Sequence, residues 1–228
     1  MNTIDLQIQT TASDGKHSPT DVVNMAHERN LEVVAITDHD TVAGIQEALD
    51  TAANTHTRVI PGIEMSAEER GLHILGYGID YTDTDFLKEL EGFRQGRIEG
   101  ARQMVKNLKH AGFVVDWYDV EQEATGLVFA RPHIARAILK RQENRQKLGS
   151  IVNVHDFIEA YLSNESPHYV HRSHILVKDA IALIRGTGGV AVWSHPAIHF
   201  RQDYDGLEQW RGQMIKWGIQ GLEVCNPA

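Results

Sequence analysis

Cysteine is almost absent from this chain of 228 residues, in which Cys225 stands alone. A lone thiol forms no disulfide within the chain, and it cannot build the thiolate clusters that hold structural zinc. The fold must therefore be held together by its core. Apolar residues, 42% of the sequence, suffice for one large domain or a domain with an insertion. The scarcity of cysteine also predicts a reducing compartment, the cytoplasm.

Long apolar runs and a basic leader are missing as well. No segment approaches the roughly 20 apolar residues of a membrane span. The first residues, MNTIDLQIQTTASDG, are neither basic nor continuously apolar. We therefore expect a soluble protein that does not enter a membrane.

Basic residues are outnumbered by acidic ones, 22 against 31, which gives a net charge of −9. A negative protein repels polyanions at long range, so the charge argues against a broad nucleic-acid-binding face. A small phosphorylated substrate or the end of an oligonucleotide stays compatible, because bound divalent cations reverse the local potential. The composition leaves the oligomeric state open.

Strand and helix patterns alternate along the first part of the chain. IDLQIQTT alternates apolar and polar residues as a strand does, and a helix starts at Ser18 and Pro19. Three more strands are predicted at EVVAIT, RVIPGIEMSAE and LHILGYGID. This order favours a parallel α/β sheet or barrel.

The middle of the chain is mainly helical, and FRQGRIEGARQMVKNLKHAGF is its clearest amphipathic stretch. Alternation then returns with the helix KDAIALIRGTG, the strand GVAVWSHP, the helix LEQWRGQMIKWG and the strand IQGLEVCN. We therefore predict a barrel formed by residues 1–82 and 166–228, with a helical insertion at 83–165. Another helix is expected after the last strand, so the pattern predicts a barrel truncated at its C-terminus.

Polar side chains gather where the predicted strands end. The groups are Gln7, Gln9 and Asp14; Asp38, His39 and Asp40; Glu64; His73; and Ser194 with His195. The carboxyl ends of parallel strands converge on one mouth of a barrel. Carboxylates and imidazoles delivered there by five strands can hold clustered divalent cations, which polarise a phosphoryl group and activate water.

Five segments resemble, in the right order, the motifs of the polymerase-and-histidinol-phosphatase (PHP) family. The segments are DLQIQTTASDG, ITDHDT, GIEMS, HILGYG and GGVAVWSHPA. In addition, ARPHIARAIL resembles the helical insertion of the bacterial branch related to nucleotide 3'-phosphatases and 5'-to-3' exoribonucleases. The match covers essentially the whole chain. Each motif is weak by itself, whereas the ordered set is specific.

The resemblance implies a fold, an activity and a site. The fold is a distorted (βα)7 TIM-like barrel of the PHP type, and the activity is that of a phosphoesterase dependent on Mn, Zn, Fe or Mg. Glu64 would bridge two metals, with His73 and His195 ligating one of them, and these three would form the catalytic core. Asp14 and His39 would hold another metal. A further Asp-x-His of the family lies beyond a strand like GLEV and is not contained in this sequence.

Two positions depart from the family pattern, since His-x-His is expected where Gln7 and Gln9 stand. Residues two apart on a strand share a face, so the geometry for gripping one ion is retained. The amide oxygen of glutamine is, however, a poor ligand for zinc, manganese or iron. We therefore expect fewer metals than the three of the family, and the activity of this chain is left open.

Three residues of the predicted insertion are candidates for binding substrate. Arg131 could clamp a phosphate and His133 could orient it, while Arg97 lies on a helix near the expected mouth. A helix N-terminus with local polar contacts explains Arg131 and His133 equally well. A solvated helix face is the simpler interpretation of Arg97.

Two other groups near the motifs have alternative interpretations. Either Asp38 or Asp40 orients the imidazole of His39, or Asp40 caps the next helix. A second group, His168, His171 and His174, recurs at every third residue. We interpret these three as surface histidines.

Three functions follow from these patterns. The leading hypothesis is a phosphoesterase that hydrolyses a nucleotide phosphomonoester, of the 3',5'-bisphosphonucleotide type, or the end of a short oligonucleotide. The alternative is a metal-poor, catalytically impaired PHP module that binds a phosphorylated ligand or a partner. A third is an amidohydrolase-type barrel acting on C–N bonds, which would usually carry a lysine bridge on a middle strand where Glu64 stands.

Overall fold

The structure, a computed structural model, describes residues 3–124, 129–163, 165–170 and 175–224. The backbone divides into two compact units, Met1–Phe93 with His174–Ala228 and Arg94–Ser173. We call the first the sheet unit and the second the helical unit. The predicted insertion at 83–165 overlaps most of the helical unit, and its exact limits stay a prediction.

The sheet unit contains six strands that follow one another in the sheet as they do in the chain. The strands are β1 (Ile4–Ile8), β2 (Val33–Ile36), β3 (Arg58–Ser66), β4 (His73–Tyr77), β5 (Val190–Trp193) and β6 (Gly221–Leu222). The first three strands are parallel, and so are β5 and β6. In contrast, β4 runs antiparallel to both of its neighbours.

The expectation of a parallel sheet is therefore wrong at β4. Only residues 67–72 separate β3 from β4, whereas a parallel crossover needs about a dozen residues or more. The short connection returns the chain as a hairpin, in which Ser66 lies opposite His73.

Ten α-helices lie in the described residues. They are α1 (Pro19–Glu28), α2 (Ile45–Ala52), α3 (Thr84–His110), α4 (Trp117–Glu123), α5 (Arg131–Lys140), α6 (Arg145–Leu148), α7 (Val154–Tyr161), α8 (Val177–Gly186), α9 (Pro196–His199) and α10 (Tyr204–Trp217). The predicted helix start at Ser18 is confirmed, because its hydroxyl accepts a hydrogen bond from Asp21 N–H in a capping box. No helix among the described residues is long and apolar enough to cross a bilayer.

Each unit has a hydrophobic core of its own. In the sheet unit, the completely buried strand residues Ile63 and Ile74 belong to one cluster with Ile184 of α8. A second cluster joins α1, β2 and α2 through Val23, Ile36 and Ala48. The core of the helical unit includes Met104, Leu108, Ile134 and Phe157. The sheet unit therefore has its own packed framework beneath the strand ends that carry the polar groups.

A buried carboxylate fastens the loop after β1 to the end of β2. Asp38 is 1% exposed. It accepts hydrogen bonds from Thr10 N–H at 2.7 Å, from the Thr10 hydroxyl at 2.8 Å and from the Ser13 hydroxyl at 2.6 Å. Because the carboxylate receives three donors, its charge is compensated locally although it is out of water.

Neither interpretation of the two aspartates beside His39 agrees with the structure. Among the described residues the His39 Nδ1 atom has no hydrogen-bond partner, so neither aspartate orients the ring through it. Asp40 accepts hydrogen bonds from the backbone and the hydroxyl of Ser66, both at 2.8 Å. The N-cap of α2 is Gly44, so Asp40 does not cap that helix. Both aspartates instead tie the loops beside the strand ends together.

The substitution Asp38→Ala should lower the free energy of unfolding by about 3 kcal/mol, because three buried donors would lose their acceptor. Urea denaturation followed by circular dichroism measures this change. Asp50→Ala is the matched control, since Asp50 is exposed on α2 and accepts a hydrogen bond from Gln46 of the same helix. Its free energy of unfolding should stay within about 0.5 kcal/mol of the native value. Equal stability of Asp38→Ala and the native chain would contradict the anchoring role.

Candidate metal centre

The polar groups singled out in the sequence meet at one edge of the sheet. Glu64 lies within β3, and His195 follows β5. His39 follows β2 and forms a parallel bridge with Glu64. His73 is the first residue of β4, and the antiparallel direction of β4 brings its start to the edge where β3 and β5 end. The expected convergence is therefore present, although for His73 the reason is strand direction.

Glu64 is the centre of this group. Its side chain is 1% exposed, and its Oε1 atom lies 3.1 Å from His73 Nδ1 and 3.1 Å from His195 Nε2. The two imidazole nitrogens lie 3.2 Å apart. Ligand atoms about 2.1 Å from a tetrahedral zinc ion are about 3.4 Å apart, so this triangle has nearly the spacing that one such cation needs.

The second oxygen of Glu64 faces another imidazole. His39 Nε2 lies 3.7 Å from Glu64 Oε2. One ligand atom from each of His39, Glu64 and His73 falls within 4.8 Å of the others. The two candidate ligand sets thus share Glu64 and His73, so the carboxylate has imidazoles on both sides.

Asp14 is exposed and lines the same cavity, which has a volume of about 360 Å³. The cavity wall consists of Gln7, Gln9, Asp14, His39, Glu64, His73, His195 and Ile198. Every residue predicted as a metal ligand therefore contributes to one cavity of the sheet unit. The assignment of individual metal-binding roles remains a proposal.

The two glutamines are bound into the site through their amide nitrogens. Gln9 Nε2 donates to Glu64 Oε2 at 2.9 Å. Gln7 Nε2 donates to the Ser194 hydroxyl at 3.0 Å, and that hydroxyl donates to Glu64 Oε1 at 2.9 Å. An ionised carboxylate only accepts hydrogen bonds, so Gln9 must present its NH2 group here. NH2 groups have no lone pair for a cation, so in this arrangement the two amides act as hydrogen-bond donors and not as metal ligands.

The carboxylate of Glu64 stays charged in these surroundings. Burial alone would raise its pKa, but hydrogen bonds with His195 and His73 outweigh burial and hold the pKa far below its ordinary value. The hydrogen bond with Glu64 also raises the pKa of His195, against the opposing effect of burial. The site is therefore an anionic centre that gathers imidazoles and favours a cation.

His199 is a neighbour of the site that the sequence analysis did not single out. Its ring centroid lies 5.3 Å from that of His195 and 6.3 Å from that of His73. Burial lowers the pKa of His199. The sequence signal that could have identified His199 is its position four residues after His195 across the short helix α9. This spacing brings both residues to one face.

The three candidate substrate-binding residues lie in the helical unit. The Arg131 guanidinium donates to the Leu162 carbonyl at 3.1 Å and lies 5.1 Å from the centre of the Tyr169 ring. His133 Nδ1 accepts from Ala130 N–H at 3.0 Å. These are the local contacts that the alternative interpretation expected at the start of α5. The role of both residues in substrate binding stays a prediction.

Arg97, on α3, is buried, so the solvated-face interpretation is wrong for this residue. Of the three histidines spaced three apart, only His168 lies in the described residues. Its ring stacks on Tyr161, with centroids 6.3 Å apart. His171 and His174 lie outside the described residues.

In the metal-free protein, the Glu64 and His195 pair should make stability depend on pH. Because the pKa of His195 is raised from 6.5, its contribution to the free energy of unfolding is complete below pH 6.5. This contribution is lost as pH rises through the pKa that His195 has in the folded protein. Because the pKa of Glu64 is lowered from 4.5, its contribution is present above pH 4.5 and is lost as pH falls. Urea unfolding in a chelator should therefore show a decline in stability above pH 6.5. Glu64→Gln should remove that decline, whereas an equal decline in this variant would contradict the pairing.

Comparison with known proteins identifies the family. The family model of the PHP domain matches residues 5–220 of the chain. The chain is 32% identical over 234 residues to the 3',5'-nucleoside bisphosphate phosphatase of Chromobacterium violaceum, covering 99% of this chain and 78% of that protein. It is 30% identical over 228 residues to the 5'-3' exoribonuclease of Haemophilus influenzae, covering 97% of this chain and 78% of that protein.

Solved structures agree with these matches. A structure described as an amidohydrolase from Chromobacterium violaceum, with bound sulfate and no metal, superimposes with a TM-score of 0.78 at 30% identity. The match covers 96% of this chain and 76% of that one. The predicted resemblance is therefore confirmed over nearly the whole sequence, including the bacterial branch. The chain belongs to the PHP domain family and has its α/β fold.

Proposed function

We propose that this chain is a metal-dependent phosphoesterase that hydrolyses a phosphomonoester of a nucleotide, of the 3',5'-bisphosphonucleotide type, or the end of a short oligonucleotide. The observation that carries the proposal is the triangle of Glu64, His73 and His195, whose ligand atoms lie 3.1 to 3.2 Å apart around a buried carboxylate. The names of the relatives from Chromobacterium violaceum and Haemophilus influenzae support the substrate class. A distorted (βα)7 barrel is the corresponding proposal for the sheet unit.

The residues present fit one divalent cation, Mn, Zn or Fe, with Mg as a further candidate. Glu64, His73 and His195 would hold it, and Asp14 with His39 would hold any further ion. When bound, such a cation supplies a Lewis acid that polarises a phosphoryl oxygen and a means of lowering the pKa of water. Because Gln7 and Gln9 stand where the family motif has histidines, we propose that fewer than three cations bind.

The chain's own residues prepare this site in three ways. The Glu64 carboxylate remains anionic because His195 and His73 donate to it, and it therefore attracts a cation rather than a proton. The Ser194 hydroxyl donates to Glu64 Oε1 and so fixes the rotation of the carboxylate. The open cavity, about 360 Å³, has room for a phosphoryl group beside these residues.

Substrate positioning is proposed for Arg97, Arg131 and His133. A guanidinium matches the oxygens of a phosphate in a bidentate manner, which is the chemical support for the two arginines. The substrate would be bound through its phosphate rather than through a broad basic surface, in agreement with a net charge of −9.

A specific observation favours a second function. Gln9 donates to Glu64 Oε2 at 2.9 Å, and Gln7 reaches Glu64 through Ser194. These amides compensate the carboxylate where the family motif would place metal ligands. The chain would then be a metal-poor PHP module that binds a phosphorylated ligand or a partner without turnover.

Metal analysis and a phosphate-release assay separate the two functions. The purified chain should bind close to one Mn²⁺ per molecule and release phosphate from a 3',5'-bisphosphonucleotide. The substitution Glu64→Gln should reduce the rate roughly 100-fold or more, because the anionic ligand of the centre is lost. Glu208→Gln, which changes an exposed residue paired with Arg211 on α10, should leave the rate unchanged. Metal content far below one per chain, with no phosphate release, would favour the metal-poor module.

Replacing both glutamines by the motif residues, Gln7→His together with Gln9→His, should raise the metal content of the chain. Each new imidazole brings a lone pair in place of an amide that donates to Glu64 or Ser194. Elemental analysis after dialysis against Mn²⁺ or Zn²⁺ gives the stoichiometry. The control pair is Gln46→His with Gln103→His, on the separate helices α2 and α3. Unchanged stoichiometry in the first pair would count against the assignment of this half of the site.

A further inference from the structure

His195 has a backbone conformation that its own sequence disfavours. Its φ and ψ angles are 31° and 52°, in the left-handed region. A residue that carries a Cβ atom is strained in the left-handed region. The next residue is Pro196, which pushes the residue before it toward an extended conformation. Surrounding contacts must therefore impose this turn on His195.

Glu223 supplies such a contact directly after β6. Its Oε2 atom accepts a hydrogen bond of 2.7 Å from His195 N–H. Its own N–H donates to the Trp193 carbonyl at 2.9 Å. One residue thus binds the end of β5 on both sides of Ser194, once with its backbone and once with its carboxylate.

The sheet places the carboxylate of Glu223 at this point. β6 pairs with β5 through Val192 opposite Gly221 and Trp193 opposite Leu222, so Glu223 comes next, beside the turn. On the other side of β5, Ser194 N–H donates to the His73 carbonyl at 3.1 Å. The turn is therefore held by β4 on one side and by Glu223 on the other.

We propose that Glu223 is a positioning residue of the metal centre, whose carboxylate holds His195 in the left-handed turn and thereby directs the imidazole toward Glu64. The inference rests on the proposed function in one respect, that His195 is a cation ligand. In an extended or right-handed backbone, the Cα–Cβ bond of His195 would point elsewhere. Its Nε2 atom would then leave the position 3.1 Å from Glu64 Oε1.

The chain offers a matched control at the other end of β6. The Gln220 side-chain oxygen accepts a hydrogen bond of 3.0 Å from Ala191 N–H. This bond also joins a side chain near β6 to the backbone of β5, but at the strand end away from His195. Gln220→Ala therefore removes a comparable bond without releasing the turn.

The first measurement is the affinity of the whole chain for Co²⁺, from the visible absorption of the bound ion. Glu223→Ala should weaken binding by about 10- to 100-fold, the usual effect of losing a group that orients a ligand. Glu223→Gln keeps an acceptor oxygen and should restore most of the affinity. Gln220→Ala should bind as the native chain does. Native affinity in Glu223→Ala, or an equal loss in Gln220→Ala, would overturn the proposal.

The second measurement needs no metal. A positive φ brings the amide and α protons of a residue close together, so His195 should give a strong intraresidue nuclear Overhauser effect in the native chain. Glu223→Ala should weaken this signal, and Gln220→Ala should preserve it. If the native chain binds no Co²⁺, the proposed function fails while this measurement still decides the role of Glu223. An unchanged signal in Glu223→Ala would overturn that role.

Discussion

A buried carboxylate needs partners that donate hydrogen bonds to its charge. Glu64 is such a carboxylate, and it lies at the edge of the sheet where the candidate site is found. The side chain is 1% exposed, and a charge removed from water is tolerated only when it is paired and hydrogen-bonded. His73, His195 and Ser194 surround one of its oxygens, and Gln9 donates to the other. These partners come from the segment after β1, from β4 and from the segment after β5. The charge of one residue on β3 thus explains why polar groups from distant segments meet there.

The hairpin between β3 and β4 and the turn after β5 determine which imidazoles reach Glu64. Because β4 runs antiparallel to β3, its first residue, His73, lies opposite Ser66 at the site. Because His195 adopts a left-handed conformation, its imidazole points back toward the carboxylate. The site therefore depends on two backbone features, the direction of β4, which follows from the short connection at residues 67–72, and the left-handed turn at His195.

Gln7 and Gln9 stand where the resemblance to the PHP family predicts histidines of a metal-binding motif. Their amides donate hydrogen bonds toward Glu64, directly or through Ser194. A histidine at either position would bring a lone pair for a cation, whereas an NH2 group brings protons. The two oxygens of Glu64 consequently differ. Oε1 lies 3.1 Å from both His73 Nδ1 and His195 Nε2, whereas Oε2 accepts from the Gln9 amide and lies 3.7 Å from His39 Nε2. This asymmetry is the physical basis for proposing fewer cations.

Local pattern in the sequence was enough to predict the strands and the helix start at Ser18, because periodicity and caps depend on near neighbours in the chain. The family and the polar residues of the cavity were predicted from the resemblance of the ordered motifs, whereas Ile198, which also lines the cavity, was not predicted. The direction of β4 was also accessible, since residues 67–72 are too few for a parallel crossover. Tertiary structure alone decided the partners of each side chain: Asp38 with Thr10, and the imidazoles with Glu64. Hydrogen bonds between residues far apart in sequence depend on how the strands pair, and no local pattern encodes that arrangement.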